Sequence, residues 1–357
     1  MSTKRIILCG VMAFAFASCN DGIDPITPVA PGEDTEAPVV SISYPLEGTK
    51  VQVKEDVAPI TIKFESTDDI EIQKIEVILD GQVVNTFNDF LDYRRALLSY
   101  TYATLNNGPH QLEVKTTDMS NKVSSQVVNF EKVEPYKPQF DGEIFYMPFD
   151  AEYLELVSIT EATKIGNSGF ADDAKAGKSY QGAADAYLTI PAGTITNDEF
   201  SAAFWYKING TPDRSGILTL SPPDPTAAKP NKRTSGFRFF REGGAAKQTF
   251  KLNVGTGAGE SWFDGGDAAS INPAVTTGWI HLAFTISQSK AAVYINGDLV
   301  SSGDFDGVDW SDCQVLSIAS GAPNFVEWDH LSDRSLYDEL RIFNKALTQA
   351  EVQALMQ

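Results

Sequence analysis

Short apolar runs restrict this chain's fold more than any other feature. From Ala37 onward, hydrophobic residues recur at every second position, as in "ITIKFEST" (60–67), "KIEVILDGQVV" (74–84) and "FSAAFWYKI" (200–208). Glycine, proline, asparagine or aspartate interrupts each run before a helix could establish itself. Alternation of this kind fits half-buried strands, which show one face to a core and the other to water. Only the last stretch, Asn344 to Gln357, changes to helical spacing through Leu347, Val352 and Leu355. The chain is therefore expected to be all-β with one short terminal helix.

The 357 residues are too many for one ordinary domain and suit two domains behind a leader. Strands crowd residues 36–135, where Asp80-Gly81 marks a tight hairpin because both residues tolerate positive φ. The stretch 136–142 holds Pro138, and Pro135 stands just before it; neither can continue a sheet, so the boundary is placed there. Residues 143–357 carry at least a second sandwich's worth of strands, among them "GILTLS", "SGFRFFREG", "TFKLNVGTG" and the long hairpin "GWIHLAFTISQSKAAVYINGDLVSSG".

The N-terminus is an address. Lys4 and Arg5 precede an apolar run from Ile6 to Phe16, and small residues lead into Cys19, so residues 1–18 form a secretory signal. The segment "FASC" resembles a bacterial lipobox, which implies cleavage before Cys19 and lipidation of that cysteine. Residues 19–35, rich in proline, glycine and acids, form a flexible tether. Its acids are loosely similar to the surface-export signal of Bacteroidetes lipoproteins, so the expected location is the outer membrane, exposed at the cell surface. With Cys9 in the leader and Cys19 lipidated, Cys313 is the one cysteine of the folded part, and no intrachain disulfide can form in the mature chain. No apolar run after the leader is long enough to span a bilayer, so attachment is expected by lipid alone. The 48 acidic against 28 basic residues give a formal charge of -20, which repels phosphate backbones and argues against nucleic acid.

Residues 36–135 resemble bacterial Ig-like repeats through "APVVSISYPLEGTKV", "VILDGQ" and "GPHQLEVKTTDMSNKV", and the resemblance implies a spacer. Residues 143–357 resemble the laminin-G-like branch of the concanavalin A-like family. "FSAAFWYKI", "GWIHLAFTIS…AAVYINGDLV" and the closing "YDELRIFNKALTQAEVQAL" stand in family order. That resemblance implies a jelly roll whose ligands are sugars, proteins or lipids. It also implies that the closing strand lies beside the first, so that Asp338 approaches Asp150, where related domains often hold a structural Ca2+. Calcium takes six to eight oxygens, and Asp150 and Asp338 could supply the two charges, with Asp172 and Asp173 as further candidates. Alternatively Asp338 accepts hydrogen bonds from backbone amides and binds no metal. Glu339 faces solvent or pairs with Arg341 on the same face.

Sugar rings lie on aromatic faces and offer hydroxyls to polar side chains, so aromatics in polar loops are the informative ones. Trp205 and Trp279 fall in strands and are expected to pack in the core. Trp262 in "GESWFDGGD", Trp310 in "GVDWSDC" and Trp328 in "NFVEWDHLSD" are expected in polar, glycine-rich or acidic loops. The segment "SGAPNFVEWDHLSDRS" offers Phe325 and Trp328 as platforms, with Glu327, Asp329, His330, Asp333 and Arg334 as polar partners. The basic "KPNKRTSGFRFFREGG" could contact sugar or an acidic partner, or be a solvated loop over buried Phe237 and Phe239.

A glycoside hydrolase needs two carboxylates flanking the scissile bond. The nearest approach, Asp150, Glu152 and Glu155 of "DAEYLE", sits on the first strand and not on an inner one. No serine-histidine-aspartate set, phosphate loop or zinc spacing occurs, and His110, His281 and His330 are the only histidines. The expectation is a non-catalytic, lipid-anchored surface protein that captures glycan for a nutrient-uptake system, and it includes partnership with a TonB-dependent transporter complex. The alternative is adhesion or assembly through a protein partner.

Overall fold

A computed structural model of the chain describes residues 32–357. The leader 1–18, Cys19 and most of the tether lie outside the described residues. Among the described residues no helix is long and apolar enough to cross a membrane. The chain forms two compact units. Among the described residues no sheet takes strands from both sides of the stretch 133–142.

The N-terminal strands form a three-stranded sheet, ordered Val39–Tyr44, Ala58–Thr67, Arg95–Leu105, and a five-stranded sheet centred on Gly108–Asp118 and Ile72–Leu79. Alternation holds residue by residue: Ile62 and Phe64 are fully buried while Lys63 is exposed, and Ile75, Val77, Leu112 and Val114 are fully buried. Asp80 and Gly81 both take positive φ, 51° and 76°, at the tight turn between Ile72–Leu79 and Gln82–Phe87.

The C-terminal strands form two larger antiparallel sheets. In the first, Val315–Ile318, Arg214–Leu220, Phe237–Gly244, Lys247–Gly255 and Glu260–Asp264 lie side by side in that order. In the second, Leu336–Phe343, Phe200–Lys207, Ile280–Ile286 and Lys290–Ile295 do so, and Glu143–Met147 also pairs with Leu336–Phe343. The closing strand thus lies beside the first strand of its sandwich, with Arg341 opposite Tyr146 and Leu340 opposite Met147.

A layer of phenylalanines joins the two sheets. Phe237 and Phe239 of the first sheet each meet Phe284 of the second at 5.0 Å between ring centroids, and Phe200 meets Phe237 at the same distance. Because every second residue of a strand faces the same way, these positions set the outward faces too. Phe240 and Glu242 turn outward on the first sheet, and Ala203 and Trp205 turn outward on the second. Ala203, Ala283 and Ala292 form a shallow outer surface that accepts Leu347 and Val352 of the C-terminal segment. Its helix, Gln349–Ala354, starts at a capping box between Thr348 and Glu351.

The closing strand departs from simple alternation. Leu336, Leu340 and Ile342 share a parity in sequence, yet it is Tyr337 that joins Leu340 and Ile342 in the core. Glu339 takes a positive φ of 55°, and the pairing with Phe200–Lys207 shifts register between Ala203 and Trp205. One extra residue is inserted there, a β-bulge, and it turns Asp338 to the outer face opposite Trp205.

Candidate functional site

The outer face of the first sheet carries a polar hollow built by register. Phe240 lies opposite Lys251, and Lys251 lies opposite Asp264, so three neighbouring strands place these side chains in one row. Glu242 and Trp262, two residues along their strands, share the same face. Together with Arg214 and Trp328 they line a hollow of 450 Å3.

Trp328 arrives on the loop that follows Val315–Ile318. Gly216 lets that loop cross close to the sheet: a Cβ there would fall 2.0 Å from the Gly321 nitrogen. The crossing is fixed by Gly216 N–H donating to the Leu331 carbonyl (3.1 Å), Gly321 N–H to that of His330 (2.8 Å) and Phe325 N–H to that of Gly321 (2.7 Å). Phe325, buried, packs on Phe240 and stacks on His330 at 5.0 Å. Above this base Trp328 stacks on Trp262, 5.9 Å between centroids, and the Arg233 guanidinium covers the Trp328 ring at 4.4 Å.

Charges in the hollow pair off. Lys251 Nζ lies 3.0 Å from Glu242 and 2.6 Å from Asp264. Arg214 lies 3.6 Å from Glu242, and Arg233 pairs with Glu260. His330 Nε2 donates to Glu242 at 3.2 Å. That hydrogen bond, with Lys251, holds the Glu242 carboxyl down at about 2. Against the opposing pull of burial, the hydrogen bond from Lys251 keeps Asp264 low as well. Burial lowers His330, which favours its neutral form.

Comparison with known proteins identifies both folds. Residues 181–353 match the model of the concanavalin A-like lectin/glucanases superfamily, and residues 38–114 match that of a bacterial Ig domain. The chain carries a bacterial Ig domain and a concanavalin A-like domain. Similar solved structures include domain 4 of AbnA, a GH43 extracellular arabinanase from Geobacillus stearothermophilus, in complex with arabinotriose; it is 23% identical over 60% of this chain and 98% of its own, with a TM-score of 0.46. The binding domain of Paraclostridial Mosquitocidal Protein 1 is 14% identical over 60% of this chain and 52% of its own (TM-score 0.42). The binding domain of Botulinum Neurotoxin DC in complex with SialylT is 15% identical over 60% and 51% (TM-score 0.42). No curated protein matches the chain.

Within the concanavalin A-like domain, the residues expected to bind ligand separate into two groups. Trp262 and Trp328 come together, though Trp262 belongs to the Glu260–Asp264 strand and not to a loop. Phe325 is buried beneath them as a base and is not a platform, and His330, expected as a polar partner, is buried with its Nε2 on Glu242. Asp333 is fully buried: it accepts from Tyr206 (2.6 Å), Tyr337 (2.7 Å), Ser335 (2.9 Å) and Arg241 (2.9 Å), which leaves nothing for a ligand. Asp329 is exposed and pairs with Lys229, and Arg334 is exposed. Trp310 caps the opposite part of the core instead, against Phe200 and Phe237, with its indole N–H donating to the Asn197 carbonyl. Trp205 and Trp279 are not core residues. Trp205 lies on the outer face, and Trp279 precedes its strand and donates to Asp173.

Glu242, Lys251, Asp264, Arg214 and Arg233 were not singled out from the sequence. The signal for the first two was present, since Phe237, Phe239, Phe250 and Leu252 define the inward parity and put Glu242 and Lys251 outward. Arg233 lies in the basic stretch that the sequence marks.

Asp150 and Asp338 secure one loop of the concanavalin A-like domain. Asp338 Oδ2 accepts from the Lys175 and Ala176 amides at 2.5 and 3.1 Å, and Asp150 Oδ1 accepts from the Lys178 amide at 2.7 Å. Gly177 permits this approach, because a Cβ would fall 1.7 Å from Asp150 Oδ1. Asp338 Oδ1 is buried with no protein partner, so it is the oxygen that a cation could use. Among the described residues no three histidine, cysteine, aspartate or glutamate side chains gather as a metal cluster. Glu339 accepts from Tyr146 Oη at 2.8 Å and pairs with Arg341 at 3.0 Å.

Proposed function

We propose that the concanavalin A-like domain is a non-catalytic carbohydrate-binding module that takes an uncharged stretch of glycan across Trp262 and Trp328. The stacked tryptophan pair at the mouth of a polar hollow carries this reading. Trp262, 41% exposed, offers apolar surface for sugar C–H faces, while Arg214, Lys251, Glu242 and Asp264 offer donors and acceptors to hydroxyls. Each cation of the hollow is paired with an acid, which favours a neutral ligand over a charged one. The match to a lectin and glucanase superfamily supports sugar as the ligand class.

Binding without catalysis fits the same electrostatics. Hydrolysis of a glycosidic bond needs one carboxyl held protonated as the acid, whereas Glu242 and Asp264 are both held in the ionised form. In the full reading the protein is a lipid-anchored outer-membrane protein that captures glycan at the cell surface for a TonB-dependent uptake complex. The Ig-like domain serves as its spacer, and a calcium ion at Asp338, aided by Asp150, braces the loop that carries Lys175. Screening the chain from Asn20 onward on a glycan array tests the ligand class. Binding to one class of neutral glycan that disappears in Trp262→Ala supports the reading. A folded protein blank on the array would overturn it in favour of a protein partner.

A further inference from the structure

The second sheet carries another hollow on the face turned away from the core. The alanine surface that seats the C-terminal helix ends at Trp205 and His281, which lie opposite each other on neighbouring strands. A hollow of 330 Å3 opens there, bounded by these two side chains, Phe140, Lys175, Arg341 and Met356 past the helix. Nothing about the tryptophan site of the first sheet depends on it.

Its unpartnered groups are an ammonium and an imidazole nitrogen. Lys175 Nζ sits 3.9 Å from the centroid of the Trp205 ring. Of the neighbouring acids, Asp172 pairs with Lys178 and Asp173 with Lys207, while Asp338 accepts from the Lys175 backbone amide and forms no ion pair with the Lys175 ammonium. His281 is 2% exposed, and its Nδ1 has no protein partner. Burial, with Lys175 nearby, pushes the imidazole down to about 4, so at neutral pH it is uncharged and can present Nδ1–H. The acid lining the hollow, Glu339, has both oxygens engaged, by Tyr146 and by Arg341. Arg341 is in turn tied to Glu143. A buried donor without an acceptor is costly, and an ammonium over an indole without a counter-ion attracts an anion.

We propose that this hollow binds a small organic carboxylate, with its oxygens on Lys175 Nζ and His281 Nδ1–H and its body against Trp205 and Phe140. Charge and shape both enter: the carboxylate supplies acceptors to Lys175 and His281, and the hollow has room for a ring-sized body.

The test titrates the whole chain calorimetrically with D-glucuronate, and with D-glucose as the neutral ring of the same size. Saturable binding of glucuronate, much weaker binding of glucose, and a loss of about tenfold or more in Lys175→Met are expected. Lys175 is exposed, so this variant should fold like the wild type, as circular dichroism would verify. His281→Phe, which keeps the ring and removes the donor, should weaken binding in the same direction. Trp262→Ala and Trp328→Ala should leave glucuronate binding unchanged. Equal binding of the two sugars, an unaltered affinity in Lys175→Met, loss of binding in Trp262→Ala, or no saturable binding at all would each overturn the proposal.

Discussion

Trp262 and Trp328 stack with their planes 27° from parallel, although one belongs to a strand and the other to a long loop. Neither ring is free to turn away. The Trp328 carbonyl accepts from Arg214 at 3.5 Å, Arg233 lies over the indole, and Phe325 meets it edge-on at 5.8 Å. Phe240 in the same way meets Trp262 edge-on, at 6.1 Å. A ligand therefore meets a platform that is already ordered and loses little to fixing side chains.

Replacing Trp262 by alanine should weaken glycan binding by about 1–2 kcal/mol, the cost of truncating a significant interface residue. The thermal midpoint should barely move, because the ring is exposed and its removal opens no cavity. Trp328→Ala should weaken binding similarly and lower the midpoint slightly, since it also releases Arg233. Affinity electrophoresis and thermal melts on the same samples check both.

Alternation made most of the architecture legible, because a strand needs only period two to be recognised, and Asp80-Gly81 marked its own turn. It failed at Glu339, where the bulge inserts a residue and reverses the faces of Leu336 and Tyr337. Composition around a residue proved a poor guide to exposure. Asp333 sits in a polar stretch, yet it is drawn inside by Arg241, which comes from another strand. The site's charged residues were missed for a related reason: Glu242, Lys251 and Asp264 look unremarkable singly and acquire meaning only through the register of three strands. Two tryptophans remote in sequence could be suspected one at a time, but their stacking depends on where the loop crosses the sheet at Gly216.

Asp333→Asn should be among the most damaging single changes in the concanavalin A-like domain. Asp333 and Arg241 are both fully buried, with Tyr206, Tyr337 and Ser335 hydrogen-bonded around them. Removing one charge strands the other away from water, at a cost of about 3–5 kcal/mol. Denaturant unfolding should show the loss at neutral pH. A stability close to the wild type would mean that water reaches the cluster.

Arg238 positions the edge of the tryptophan site from below. Its buried guanidinium donates to the carbonyls of Lys232, Arg233 and Ser235, and to Ser221 and Asn253, even though burial pushes it down to about 10. In Arg238→Met those acceptors lose their donor, which should cost about 1–3 kcal/mol of stability. The segment bearing Arg233 would then loosen and glycan affinity should fall with it. Arg233→Ala is the control: affinity should drop while denaturant stability stays nearly unchanged.

The stability of the concanavalin A-like domain should depend on pH through Asp338. Burial pushes this carboxyl up to about 7 from the ordinary 3.8, with the Ala176 and Lys175 amides opposing the shift. The folded state therefore holds a proton that the unfolded chain releases between those values. By linkage, the stabilisation is complete below about pH 4 and is lost as pH rises through 7. Thermal midpoints in chelator should fall across that window, and Asp338→Asn, which cannot ionise, should flatten the decline. Calcium distinguishes the two roles proposed for this residue. An ion on Asp338 Oδ1 would hold the carboxylate ionised, so adding calcium near neutral pH should raise the midpoint and reduce the slope. If calcium changes neither quantity while the slope and its loss in Asp338→Asn persist, Asp338 acts as a hydrogen-bonding clamp on the Lys175 loop and the calcium proposal fails.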